Sequence, residues 1–249
     1  MAQFEEYDNP WSAENSEWYN EGNDRWFNNN EYGIEVADET RTQIVNNNCS
    51  TRKVTITLTS IEVGKYEARS YPHDDIDNNG KIELYNVPVH KILIEGKDDT
   101  GNPITYTHKA PRFMPFYNNP NKPNKHYKSR GWLNAGLSSY RKITISKYID
   151  SYRVQNRFSP GVGAIVLKGA FYIHAGPADL NNIGFGSAGC VEIIGDFNDF
   201  KNNIKAISGC NSLNNSDDAI KQLISDKNLI VIIEKASVPN IKNNFTREI

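Results

Sequence analysis

Cys190 and His174 are the two residues whose types and setting could support nucleophilic chemistry. A thiolate is a strong nucleophile, and an imidazole beside it can take the thiol proton as a general base. Cys190 follows the small residues 186–189, which would let a substrate carbonyl approach the backbone. The N–H groups of Gly189 and Cys190 could then form an oxyanion hole. The alternative is that Cys190 is a buried small apolar residue and His174 an ordinary core or surface histidine.

The order and spacing of these two residues narrow the chemistry. His174 precedes Cys190 by 16 residues, which excludes the papain-like order and disfavours the caspase spacing of about 50 residues. His174 ends the apolar run 170–173, and Val191 begins another apolar run. We therefore expect two strand ends that face each other across a cleft.

This arrangement resembles the catalytic motif of the YkuD-type L,D-transpeptidases, in which a histidine precedes a Ser/Thr-x-Gly-Cys element. The resemblance implies that Cys190 is the nucleophile and His174 its base. It also implies that Ser187 and Gly189 correspond to the serine and the glycine of the Ser/Thr-x-Gly-Cys element. Ala175, the residue after the histidine, would hold the imidazole tautomer through its backbone carbonyl.

Three positions depart from the family pattern. Ala188 stands where many members have histidine, and Ala175-Gly176 follows the histidine where members have glycine directly. Glu192 stands two residues after the cysteine, where members commonly have an arginine that is thought to hold an anionic stem peptide. The resemblance thus implies that Glu192 is a substrate-binding residue, with a carboxylate where members of the family have a positive charge.

The resemblance implies an enzyme that acts on peptidoglycan stem peptides as an L,D-transpeptidase, L,D-carboxypeptidase or endopeptidase. The sequence does not choose between water and an amine as the acyl acceptor. A rival hypothesis is a non-catalytic cell-wall-binding protein with a degenerate transpeptidase-like domain. A third is a cytoplasmic enzyme that recycles stem peptides.

We expect no metal and no cofactor. The sequence has no CxxC or HxxxH pair, and no P-loop or GxGxxG. The segment 75–86 begins like an EF-hand calcium loop, but its twelfth position is Asn86 where glutamate is required. We interpret it as a turn between strands. The three cysteines do not form a disulfide framework, although one bridge between Cys49 and Cys210 is compatible with the sequence.

Charge is unevenly distributed along the chain. Residues 1–40 carry eleven carboxylates and one arginine, a net charge of −10, which leaves +8 on the remainder of a chain of net charge −2. The basic residues are scattered, so nucleic-acid binding is not expected. The N-terminus has no apolar segment of the Sec type, and no apolar run could span a membrane. We expect synthesis in the cytoplasm and delivery to a bacterial periplasm or cell wall by a specialised system, as for type VI secretion effectors, which are antibacterial toxins. A secretion component, chaperone or immunity protein would then be a partner.

The elements that must position the two residues are mainly strands. Residues 1–45 predict an acidic, aromatic arm, 46–108 a small antiparallel β-module, and 109–249 the catalytic domain. Alternation predicts a strand at 54–59, and apolar runs predict others at 163–167, 170–173 and 229–233. Apolar spacing predicts one helix over 197–207, and Ser216 is predicted to cap a second. The fold class is therefore mainly β with α (α+β), with an L,D-transpeptidase-like β-sandwich after the β-module.

Overall fold

The computed structural model describes residues 49–249 apart from several short gaps: 73, 76–78, 118–129, 134–140, 144, 154–159, 168–170, 182, 185–189 and 238–243. The predicted N-terminal arm, 1–45, lies outside the described residues. Within the described part of the chain, no helix is long and apolar enough to cross a membrane.

Strands predominate, which confirms a mainly β fold with some α-helix. The strands are β1 (Val54–Arg69), β2 (Tyr71–Pro72), β3 (Glu83–Lys97), β4 (Pro103–Pro111), β5 (Met114–Tyr117), β6 (Arg130–Leu133), β7 (Arg141–Ile143), β8 (Ile145–Ile149), β9 (Ala164–Leu167), β10 (Phe171–Ala175), β11 (Val191–Ile193), β12 (Leu229–Ile233) and β13 (Phe245–Glu248). The helices are α1 (Phe197–Ser208) and α2 (Ser216–Ser225).

The largest sheet joins the two ends of the described chain. Its strand order is β13-β3-β1-β12-β7, with β4 paired to β3. Strand β1 runs parallel to β12, in a register that pairs Val54 with Leu229. The expected β-module, 46–108, and the expected catalytic segment, 109–249, therefore share this sheet.

A second sheet, β11-β10-β9-β8, packs with the helices against the first. Its apolar face joins one core with the large sheet and α1. Members of that core include Ile56, Ile94, Ile165, Ile173, Val191, Phe197, Phe200 and Ile204. One face of β10 and β11 thus packs against a continuous core, which fixes the backbones of these two strands.

A small third sheet, β2-β5-β6, contains part of the segment 109–131. Pro115 of β5 pairs with Trp132 of β6 in this sheet.

The two helices begin and end where local chemistry requires. The side chain of Asp196 accepts a hydrogen bond from the backbone N–H of Asn198 and caps α1. Gly209 ends this helix with a φ of 82°, a left-handed conformation that favours glycine. The cap of α2 is Asn215, whose side chain accepts from the N–H of Asp218, so the predicted cap at Ser216 is one residue late.

Cys49 and Cys210 form a disulfide across 161 residues of sequence. The bridge packs with Leu213 and Ala219 in a small cluster beside α2. Since the chain has three cysteines, Cys190 is its one free thiol.

Candidate active site

His174 and Glu192 lie on the adjacent parallel strands β10 and β11, and Cys190 is the residue that precedes β11. The register pairs His174 with Glu192, and its continuation brings Tyr172 opposite Cys190. Parallel neighbours in a sheet are about 4.8 Å apart, and side chains two residues apart project from the same face. Tyr172, His174, Cys190 and Glu192 therefore share one face of the sheet.

The opposite face of these strands belongs to the core, where Ile173 and Val191 are buried. Side chains along β10 and β11 alternate between the two faces of the sheet, so the core residues lie on one face and the candidate site residues on the other. The prediction of two strand ends facing across a cleft is wrong: β10 and β11 pair directly, with His174 beside Glu192 and Cys190 offset from His174 by two residues along the sheet.

His174 is a buried, neutral imidazole. It is 3% exposed, and its Nδ1 lies 2.8 Å from the carbonyl oxygen of Ala175. A carbonyl oxygen only accepts, so Nδ1 carries the hydrogen and Nε2 keeps a free lone pair. Burial lowers the pKa of His174 to about 4, against the opposing effect of the Ala175 hydrogen bond. At neutral pH the ring can accept a proton at Nε2.

Cys190 is a protonated thiol. Burial raises its pKa to about 12. A hydrogen bond with the backbone of Tyr172 opposes this shift, and the nearby charge of Glu192 adds to it. Cys190 and His174 therefore rest as a neutral pair, without a preformed thiolate and imidazolium.

Glu192 is a carboxyl group in an unfavourable setting. Its residue keeps a partial exposure, yet the protein around the carboxyl raises its pKa to about 8 by removing water. No described residue forms a hydrogen bond or an ion pair with this side chain.

Gly176 allows the backbone of Glu192 to pass close to the end of β10. A methyl group at Gly176 would lie 2.8 Å from the backbone carbonyl carbon of Glu192. The Gly176 N–H also donates to the carbonyl of Ile193, at 2.8 Å. The glycine of the His-Ala-Gly sequence thus serves the pairing of β10 with β11.

Tyr152 completes the cluster and was not found from the sequence. It is 1% exposed, and its ring centroid lies 5.3 Å from that of His174 and 5.2 Å from that of Tyr172. Burial, reinforced by the charges of Cys190, Tyr172 and Glu192, raises the pKa of its phenol well above the ordinary value. Its buried hydroxyl has no hydrogen-bond partner in the described part of the chain.

The position of Tyr152 depends on the connection between β8 and β9. The N–H of Gly163 donates to the Tyr152 carbonyl at 2.8 Å. Gly163 has a φ of 103°, and a Cβ there would lie 2.0 Å from the hydroxyl of Tyr148. No local sequence motif marks Tyr152, because it reaches the site only through this long-range pairing.

A backbone hydrogen bond at Gly184 anchors the segment between His174 and Cys190. Arg69 on β1 donates its N–H to the Gly184 carbonyl at 2.7 Å. Beyond the cysteine, Ile194 donates to the carbonyl of Lys109 at 2.8 Å, which fixes the end of β11 to β4. Ser187 and Gly189 lie outside the described residues.

No group of three or more His, Cys, Asp or Glu side chains could hold a metal ion within the described ranges. In the described part of the calcium-like segment, Asp75 accepts from the N–H groups of Asn79 and Gly80, each at 3.0 Å. These bonds already use both carboxylate oxygens of Asp75.

Comparisons with known proteins identify no relative. No family model, no curated protein and no solved structure matches the chain. The site is therefore described by its own geometry: a thiol, a neutral imidazole with one free nitrogen, a carboxyl and a phenol on one sheet face.

Proposed function

We propose that this protein is a cysteine-dependent acyl-transfer enzyme, with Cys190 as nucleophile and His174 as general base. The observation that carries the proposal is that β10 and β11 pair in parallel, which brings Cys190, the residue before β11, onto the sheet face that holds His174. The Ala175 carbonyl adds support, because it holds Nδ1 and leaves Nε2 for the proton of the thiol.

The substrate that we propose is a peptidoglycan stem peptide, and the reaction is that of an L,D-transpeptidase, L,D-carboxypeptidase or endopeptidase. The support is the resemblance of residues 174–192 to the YkuD-type motif, together with the mainly β fold. A sandwich of the L,D-transpeptidase type is part of this proposal.

In the proposed mechanism, proton transfer accompanies nucleophilic attack. The sulfur of Cys190 attacks the amide carbonyl carbon while its proton moves to Nε2 of His174. The tetrahedral intermediate expels the amine, which takes that proton, and a thioester remains on Cys190. Water or a second amine then attacks the thioester, His174 takes a proton from it, and the proton returns to the departing sulfur.

The neutral resting state follows from the burial of both groups. An imidazole with a pKa of about 4 is unprotonated at pH 7, so it is ready to act as a base. A thiol with a pKa of about 12 needs that base during attack. The dyad would therefore gain its charges only in the transition state.

The site of action that we propose is a bacterial periplasm or cell wall. The disulfide between Cys49 and Cys210 supports this location, because such bonds persist in oxidising compartments and are rare in the cytoplasm.

Turnover of defined substrates tests the function. Purified protein is incubated with stem tetrapeptides, or with sacculi, and the products are identified by mass spectrometry. We expect cleaved or cross-linked peptides, and a thioester adduct on the peptide that contains Cys190. Cys190→Ala and His174→Gln should each abolish product formation.

His108→Gln is the matched control, because His108 is another mostly buried histidine whose ring packs on Phe200 and contacts Asn203, outside the site. Undiminished turnover by Cys190→Ala, or no product and no adduct from the folded wild type, would refute the enzyme proposal.

A non-catalytic cell-wall-binding protein is the second candidate. The raised pKa of Cys190 favours it, since burial without a preformed ion pair is also the state of an inert thiol. Retention of sacculi by both the wild type and Cys190→Ala, with no product from either, would select this function.

A further inference from the structure

Glu192 presents the site with a carboxyl group that no described residue pairs with a positive charge. Asp217, a partly buried carboxylate elsewhere in the fold, lies 2.7 Å from Nζ of Lys201. Glu192 has no such partner in the described part of the chain, and it lies on β11, the strand that Cys190 precedes. A carboxylate withdrawn from water is stable only if it is paired or protonated.

The groups that face Glu192 cannot supply a positive charge. His174 lies directly beside it on β10, buried and neutral with Nδ1 donating to a carbonyl. Cys190, two residues before it, is a thiol. Tyr152, from the connection of β8 and β9, faces it with a phenol. Among the described residues, then, no cation pairs with Glu192, and a cationic ligand would meet an unpaired carboxyl there.

We propose that Glu192 is a specificity-determining residue that accepts hydrogen bonds from a primary ammonium group of the substrate. The inference rests on the proposed function for one point, the position of the scissile carbonyl at Cys190. Glu192 follows Cys190 by two positions on the same face, which separates their Cα atoms by about 7 Å. An aliphatic side chain with a terminal amine, as in a diamino acid, spans that distance.

The chemistry of the carboxyl distinguishes this ligand from others. An anionic ligand group would be repelled by Glu192 or would need it protonated. A neutral group would leave the carboxyl in its protonated form below pH 8. An ammonium group would instead stabilise the ionised form, so binding below pH 8 would release a proton from Glu192.

A pair of peptides that differ in one group provides the test. Both are stem-peptide analogues, and the residue that supplies the scissile carbonyl is lysine in one and norleucine in the other. We expect the wild type to favour the lysine peptide at least tenfold in kcat/KM, mainly through KM. Glu192→Gln should reduce this preference to about twofold or less. Glu95→Gln, which removes a carboxylate from β3 outside the site, should keep the preference of the wild type.

Calorimetry on the full chain with Cys190→Ala separates binding from catalysis. At pH 7, measured in buffers of different ionisation enthalpy, the lysine peptide should release close to one proton and the norleucine peptide none. Tighter binding of the lysine peptide without turnover in the wild type would support the role of Glu192 and refute the proposed reaction. Equal affinity for the two peptides, affinity for neither, or a preference that survives Glu192→Gln would overturn the role of Glu192.

Discussion

The neutral state of Cys190 predicts an unusually slow reaction with thiol reagents. With a pKa of about 12, about one molecule in ten thousand carries the thiolate at pH 8. An ordinary cysteine, with a pKa of about 8.5, is ionised in about one molecule in four at that pH. Because the thiolate is the reactive form, we expect alkylation of Cys190 to be about 2,000-fold slower than that of free cysteine.

The experiment is simplified by the single free thiol, since one label per chain reports Cys190 directly. Iodoacetamide incorporation is followed by intact mass between pH 7 and pH 10, with urea-unfolded protein as the fast reference. The rate should rise about tenfold per pH unit without a plateau. His174→Gln should leave this rate unchanged, because the resting imidazole takes no proton. A fast, pH-independent rate near pH 6 that His174→Gln abolishes would refute the neutral dyad and indicate a preformed ion pair.

Four variants or treatments test the surroundings of the dyad through the free energy of unfolding in urea. Glu192→Gln should raise it by about 4 kcal/mol at pH 7.5 and by nothing near pH 4, because the folded carboxyl keeps a proton that the unfolded chain loses between pH 4.5 and 8; an equal gain at both pH values would contradict the raised pKa. Gly176→Ala should lower it by about 2 kcal/mol and reduce turnover, because the added methyl meets the Glu192 backbone. Reduction of the Cys49–Cys210 bridge should lower it by about 2–5 kcal/mol, since the bridge closes a loop of 161 residues. Tyr152→Phe should raise it by about 1 kcal/mol, because the deleted hydroxyl is buried and unpaired.

The sequence predicted those helices and strands that a short run of consecutive residues is enough to define. The apolar residues of 197–207 recur at the helical period, and α1 buries Phe197, Phe200, Ile204 and Ile207 as that spacing requires. The continuous apolar run of β12 was found at its observed bounds, Leu229–Ile233. The two chemical residues were also selected locally, from the small residues around Cys190 and the strand before His174.

Pairing between distant segments was beyond the reach of the sequence. Nothing in β1 or β12 specifies that they run side by side, because the choice depends on the shared core beneath them. The direct pairing of β10 with β11 was missed for the same reason. These pairings bring Tyr152 to the site and leave Glu192 without a described cationic partner. Neither feature could be predicted from the sequence.

The Cys49–Cys210 bridge makes most of the folded body a covalent ring. A machine that draws polypeptides through a narrow pore from the N-terminal side would meet the bridge at Cys49, and would then have to admit two chain segments abreast. Reduction of the disulfide restores a linear chain. Passage through any pore of single-strand width therefore requires the reduced chain, and ring closure on the far side would prevent its return.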